Sequence, residues 1–190
     1  AGCLKKGETY STGSPSFSGV SGDFNGDGIT DIALATSSSN SSSIRIYSGN
    51  GDGSFRQSGK FAEGLTPLAL IKKDMNGDNR EDLIAASGQG DNLYLFYSNG
   101  DGTFQKGIPF SAGGGPVSLV AERFDDDDQI DVAVANSRSH SFSLVVRGPN
   151  GHFRFPTRVY LTSGPPLAIT SGDYNGDGAA DIAVAVTDSN

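Results

Sequence analysis

Three features of the 190-residue chain predict an all-β fold. An acidic, glycine-bearing loop recurs about every 50 residues, apolar residues alternate with small or polar ones beside it, and no segment reads as a helix. Repeats of this length, each holding four short antiparallel strands, fit a β-propeller of about 3.5 blades.

The loops come first in the argument. They read DFNGDGITD from Asp23, DMNGDNRED from Asp74, RFDDDDQID from Arg123 and DYNGDGAAD from Asp173, with starts 51, 49 and 50 residues apart. An apolar segment, proline-bearing in each copy (SPSFSGVSG, PLALIKK, PVSLVAE, PPLAITSG), precedes each loop. The units span roughly residues 15–65, 66–115, 116–164 and 165–190, after an N-terminal segment, residues 1–14.

The strands follow from period-two patterning. In TDIALAT and IDVAVAN, Ile32 and Leu34, or Val132 and Val134, alternate with alanine, so one face of each strand is crowded and the other admits a close neighbour. A second apolar run follows (SIRIYSG, NLYLFYS, FSLVVRG) and leads into NGDGSF, NGDGTF or PNGHF, read as hairpin turns with Asn-Gly supplying positive φ. The acidic loop thus joins the first strand of each unit to the second. Copy four stops after its second strand, while residues 5–12 (KKGETYST) read as one additional outer strand.

Composition agrees with an array that borrows its core from neighbouring units. There are 27 glycines and no tryptophan, and no run approaches the ~18 apolar residues of a membrane helix. The net charge is −8, and the four loops hold 3, 4, 5 and 3 of the 22 acidic residues. Clustered carboxylates repel unless a cation lies among them. No basic stripe suggests nucleic acid.

The pattern D-x-[DN]-x-D-G-x-x-D before an apolar strand, with its NGDG turns, resembles the FG-GAP/VCBS repeat of the integrin α-subunit propeller and of many bacterial secreted and surface proteins. The resemblance covers residues 15–190 and implies Ca²⁺ in a nine-residue strand-loop-strand site. Ca²⁺ takes 6–8 oxygens. In copy one these would come from Asp23, Asn25, Asp27, the Ile29 carbonyl and Asp31, with Gly26 and Gly28 allowing the curvature. Copy two offers Asp74, Asn76, Asp78, the Arg80 carbonyl and Asp82, and copy four Asp173, Asn175, Asp177, the Ala179 carbonyl and Asp181.

Copy three departs from the pattern. Arg123 replaces the first aspartate, leaving Asp125, Asp127 and Asp131, with Asp128 at the usual glycine. Two readings stand open: the guanidinium lies across the carboxylates in place of metal, which is preferred, or Asp126 or Asp128 turns in to complete a weaker site.

Nothing reads as a catalytic constellation, and His140 and His152 read as solvated loop residues. The expected function is a calcium-stabilised extracellular adhesion or protein-interaction module. A lectin-like propeller and an accessory domain of a larger secreted enzyme are the alternatives, with the tyrosines and phenylalanines read mostly as core. Calcium dependence and the single Cys3 point to a secreted or cell-surface protein, lipid-anchored through Cys3 in one of two readings of the Ala1-Gly2-Cys3 start. Asn40 heads a glycosylation acceptor. A homodimer completing seven blades is the expected assembly, each N-terminal strand finishing the other chain's last blade.

Overall fold

The computed structural model describes residues 7–38, 41–153 and 158–187; Cys3 and Asn40 lie outside them. The fold is all-β. Among the described residues, fourteen strands form three four-stranded antiparallel sheets and one two-stranded sheet. The first sheet is β1 (Ser16–Gly22), β2 (Asp31–Thr36), β3 (Ser43–Gly49) and β4 (Phe55–Phe61). The second is β5 (Pro67–Lys73), β6 (Asp82–Ser87), β7 (Asn92–Phe96) and β8 (Ile108–Ser111). The third is β9 (Pro116–Glu122), β10 (Asp131–Asn136), β11 (Ser141–Val145) and β12 (Arg158–Leu161), and the last pairs β13 (Pro166–Gly172) with β14 (Asp181–Val186).

Each sheet runs in chain order, so consecutive strands are neighbours. The first strand of every unit carries a bulge one residue in, at Phe17, Leu68, Val117 and Leu167. Proline opens three of these strands, a position where the missing N–H costs no ladder bond.

The cores lie between the sheets. Ala33 and Ala35 of the first sheet face Leu83 and Ala85 of the second. Ile84 and Ala86 on the opposite side of β6 face Val132 and Val134, and Ala133 and Ala135 then face Ile169, Ile182 and Val184. Every residue of β6 and β10 is buried, whereas Ala183, Ala185 and Val186 of the last strand are exposed. Small residues on one face let the next sheet's larger side chains approach closely, which is why alanine alternates here. The innermost strands pack in the series β1, β5, β9, β13, and the last sheet makes no comparable contact with the first.

Two expectations are corrected. The outer strand expected over residues 5–12 does not form in its described part, residues 7–12. That segment lies back on the first sheet: the Phe55 N–H donates to the Tyr10 hydroxyl at 3.0 Å, the two rings meet edge to face at 6.1 Å, and Ser14 Oγ donates to the Ser41 carbonyl at 3.1 Å. With no free third strand beside it, the segment finds its bonds locally. In the NGDG turns positive φ belongs to the glycines, Gly51 (80°) and Gly53 (89°) in the first unit. Asn50 instead donates from its side chain to Ser54 Oγ at 2.9 Å.

Candidate metal centre

Each acidic loop is a tight bend between the first and second strands of its unit, and loops one, two and four are organised by their first aspartate. Asp23 Oδ1 accepts the N–H groups of Gly26 (2.8 Å) and Asp27 (3.2 Å), and Oδ2 accepts that of Gly28 (2.8 Å). Asn25 Oδ1 accepts the Asp27 N–H, Asn25 Nδ2 donates to Asp27 Oδ2, and Asp27 Oδ1 accepts the Ile29 N–H. Short polar side chains bonding the backbone a few residues on are what hold such turns.

Loops two and four repeat this network bond for bond, from Asp74, Asn76 and Asp78 and from Asp173, Asn175 and Asp177. The Gly178 N–H, first among four backbone donors, holds the Asp173 carboxyl below the usual range. Asn79 adopts φ 63° where Gly28 has 80° and Gly178 has 86°. Asparagine enters the left-handed region readily, so the backbone path survives the substitution.

The ninth residue behaves differently. Asp31 is fully buried at the base of the loop, its Oδ2 accepting the Phe24 N–H (3.1 Å) and its Oδ1 the Gly49 N–H at the end of β3 (3.0 Å). Asp82 does the same with Met75 and Ser98, and Asp131 with Phe124 and Arg147. Asp181 accepts the Tyr174 N–H at 3.0 Å, and no third strand follows in the described residues to reach its Oδ1. Burial raises the Asp82 and Asp131 carboxyls above the ordinary value, against the pull of the two N–H groups each accepts; nearby Asp78 and Asp74, or Asp125 and Asp127, raise them further.

Loop three keeps part of the frame. Asp125 Oδ1 accepts the Asp127 N–H and Asp127 Oδ1 the Gln129 N–H, but Arg123 offers no carboxylate to gather the turn, and neither Asp126 nor Asp128 takes a positive φ. The guanidinium does not lie across Asp125 and Asp127. It approaches Asp128 at 3.9 Å, with both side chains solvent-exposed.

The loop carboxylates converge on backbone N–H groups rather than on one another. Among the described residues no three His, Cys, Asp or Glu side chains alone form a metal cage. The donor set still fits a hard cation: it is all oxygen, and a carboxylate has about four lone-pair sites, of which Asp23 uses three.

The second residue of each loop escaped sequence reasoning. Phe24 (1% exposed) and Met75 (2%) are driven into the core shared with the following unit, Phe24 against Phe104 at 5.8 Å, and Gly102 donates to the Phe24 carbonyl at 2.9 Å. Tyr174, in the same position of the last unit, is 58% exposed. The signal was an apolar residue at position two of all four loops.

Residues 23–70, 74–134 and 123–184 match the FG-GAP-like repeat. The chain belongs to that family. Among solved structures this FG-GAP repeat chain is similar to BBS1N in complex with ARL6DN, in crystals soaked with lead (TM-score 0.62, 14% identity, 92% of this chain) and with mercury (TM-score 0.63, 14% identity, 91% of this chain). It is also similar to the V. cholerae biofilm matrix protein Bap1 (TM-score 0.55, 20% identity, 90% of this chain). At these identities the likeness shows the fold, a β-propeller. The chain spans 52% of the BBS1N chain and 28% of the Bap1 chain. No curated protein matches it by sequence.

Proposed function

We propose that this FG-GAP chain is a calcium-stabilised, extracellular propeller module for adhesion or protein interaction, without enzymatic activity. The observation that carries the calcium reading is the threefold recurrence of one loop network whose side-chain acceptors are all oxygen, at Asp23, Asp74 and Asp173, in a chain of net charge −8. Asp23, Asn25, Asp27, Ile29 and Asp31, with their counterparts in loops two and four, would hold the ion; when bound, it supplies a charge that offsets clustered carboxylates and clamps the strand junction. The interaction reading is supported by the company of the fold, one similar chain being in complex with ARL6DN and another being a biofilm matrix protein. A secreted or surface location follows from the calcium requirement.

The test is thermal unfolding with and without a chelator. A ligand at ten to a hundred times its Kd contributes about 1.4–2.7 kcal/mol per site, so three sites hold a large share of domain stability. Chelation is expected to lower Tm by more than about ten degrees, on the scale of ~2–4 °C per kcal/mol for a chain this size. An unchanged melting curve overturns the calcium reading. The lectin alternative draws on the exposed tyrosines Tyr160 and Tyr174, while most of the described aromatics are buried or partly buried, as expected. Glycan-array binding lost on substituting either tyrosine supports it.

A further inference from the structure

The third unit breaks the repeat at a buried position. Gly49, Ser98 and Arg147 are equivalent, since each N–H donates to the buried aspartate of its loop, and the turns that follow close alike through Asn50 to Ser54, Asn99 to Thr103 and Gly148 to His152. The turn carboxylates Asp52 and Asp101 therefore correspond to Asn150. Unit three has gained a guanidinium and lost a carboxylate at one corner.

Arg147 is 5% exposed. Its Nε donates to the Gly151 carbonyl and its Nη2 to the Tyr97 hydroxyl of unit two, both at 2.9 Å. Among the described residues it forms no ion pair, and three of the five N–H donors of a guanidinium are left over, on an edge that opens to the cavity beside it. The side chain lines a cavity of about 310 Å³ between units two and three, together with Tyr97, Pro109, Phe110, His152 and Phe153. Phe110 and Phe153 stack at 4.1 Å to make one wall. A cavity near 300 Å³ with apolar walls and a few convergent polar groups has the make-up of a small-ligand site.

We propose that this cleft binds a carboxylate carried on a flat or ring-shaped body that has an apolar face. The carboxylate takes the free edge of the Arg147 guanidinium, a pairing that matches in shape and charge. Tyr97 fixes the guanidinium from one side, and the Phe110–Phe153 wall receives the body. The site does not depend on the calcium reading, since none of its ligand-facing side chains belongs to an acidic loop.

Two acids of different origin probe it on the full chain: hippurate, which presents a peptide-like terminal carboxylate, and glucuronate, an acidic sugar, with glucose as the neutral control. The readout is the ¹H–¹⁵N signal of Arg147 Nε–H. A saturable shift with either acid and none with glucose is expected, and the tighter acid identifies the source of the ligand. Asn150→Asp restores the carboxylate of the other units at an exposed turn and is expected to abolish the shift. Tyr97→Phe is expected to weaken binding by about two- to tenfold, the worth of one hydrogen bond. No saturable shift with either acid, a shift with glucose equal to that with the acids, or unchanged affinity in a folded Asn150→Asp chain overturns the proposal.

Discussion

Asp82 and Ser98, 16 residues apart, are joined by a buried 2.8 Å bond from the Ser98 N–H to Asp82 Oδ1, while Oδ2 of the same carboxylate holds the Met75 N–H. One side chain thereby ties the acidic loop to the end of the third strand. Asp82→Asn turns an amide NH₂ toward one of the two N–H groups, leaving a buried donor unpaired. It is expected to cost about 1–3 kcal/mol. Asp181→Asn, where one N–H is held at an exposed edge, is expected to cost less. Denaturant midpoints at unchanged m-value measure both, and equal losses would refute the strand-tying role.

Loop three sets the ion count. Its first position is Arg123 and its backbone lacks the left-handed residues of the other loops. Titration of the chelated chain is expected to find three Ca²⁺, and Arg123→Asp to add a fourth. Four in the unaltered chain would show that Asp126 or Asp128 completes the loop.

The hairpin turn of unit one has a measurable electrostatic signature. The Ser54 hydroxyl, and then the Ser54 N–H, hold the exposed Asp52 carboxyl below its ordinary value. A depressed folded pKa gives stability that is present above the unfolded pKa and lost as pH falls through the folded one. Ser54→Ala is expected to move the Asp52 carboxyl back toward the ordinary range in an NMR titration. An unmoved value would reject the hydroxyl as its cause.

Association is expected at the open end. Ala183 and Ala185 expose the face that Ala133 and Ala135 bury, and β14 leaves an edge where β2, β6 and β10 are each paired on both sides. Light scattering after size exclusion is expected to give a mass near twice 19.6 kDa, in line with a seven-bladed pair of chains. The segment bearing Tyr10 lies on its own first sheet, so in this arrangement it stays there. A monomer at all concentrations rejects the pair.

Much of the architecture was legible because it is written four times. Ile32 and Leu34 alternating with alanine specify strands, and Gly26 and Gly28, expected to allow the loop's curvature, both take positive φ. What misled was the outer strand over residues 5–12, because a strand pattern says nothing of whether an edge waits beside it. The burial of Phe24 and Met75 was hidden for a related reason: an apolar residue in a polar loop has meaning only once the neighbouring unit is in place. Arg147 could have been found by aligning the third strands of the units, where it stands against Gly49 and Ser98.

The wedging of Phe24 and Met75 into the following unit has a consequence for folding. Phe24 belongs by sequence to the first unit and by packing to the core completed by Leu83, Ala85 and Phe96 of the second. The sequence repeat and the packed core are therefore out of register. An excised single unit would carry two halves of different cores and complete neither, so the smallest fragment able to hold structure spans two units. In native-state hydrogen exchange, loosening the Asp23 loop is expected to appear first as faster exchange in β6 and β7, one unit downstream of the change.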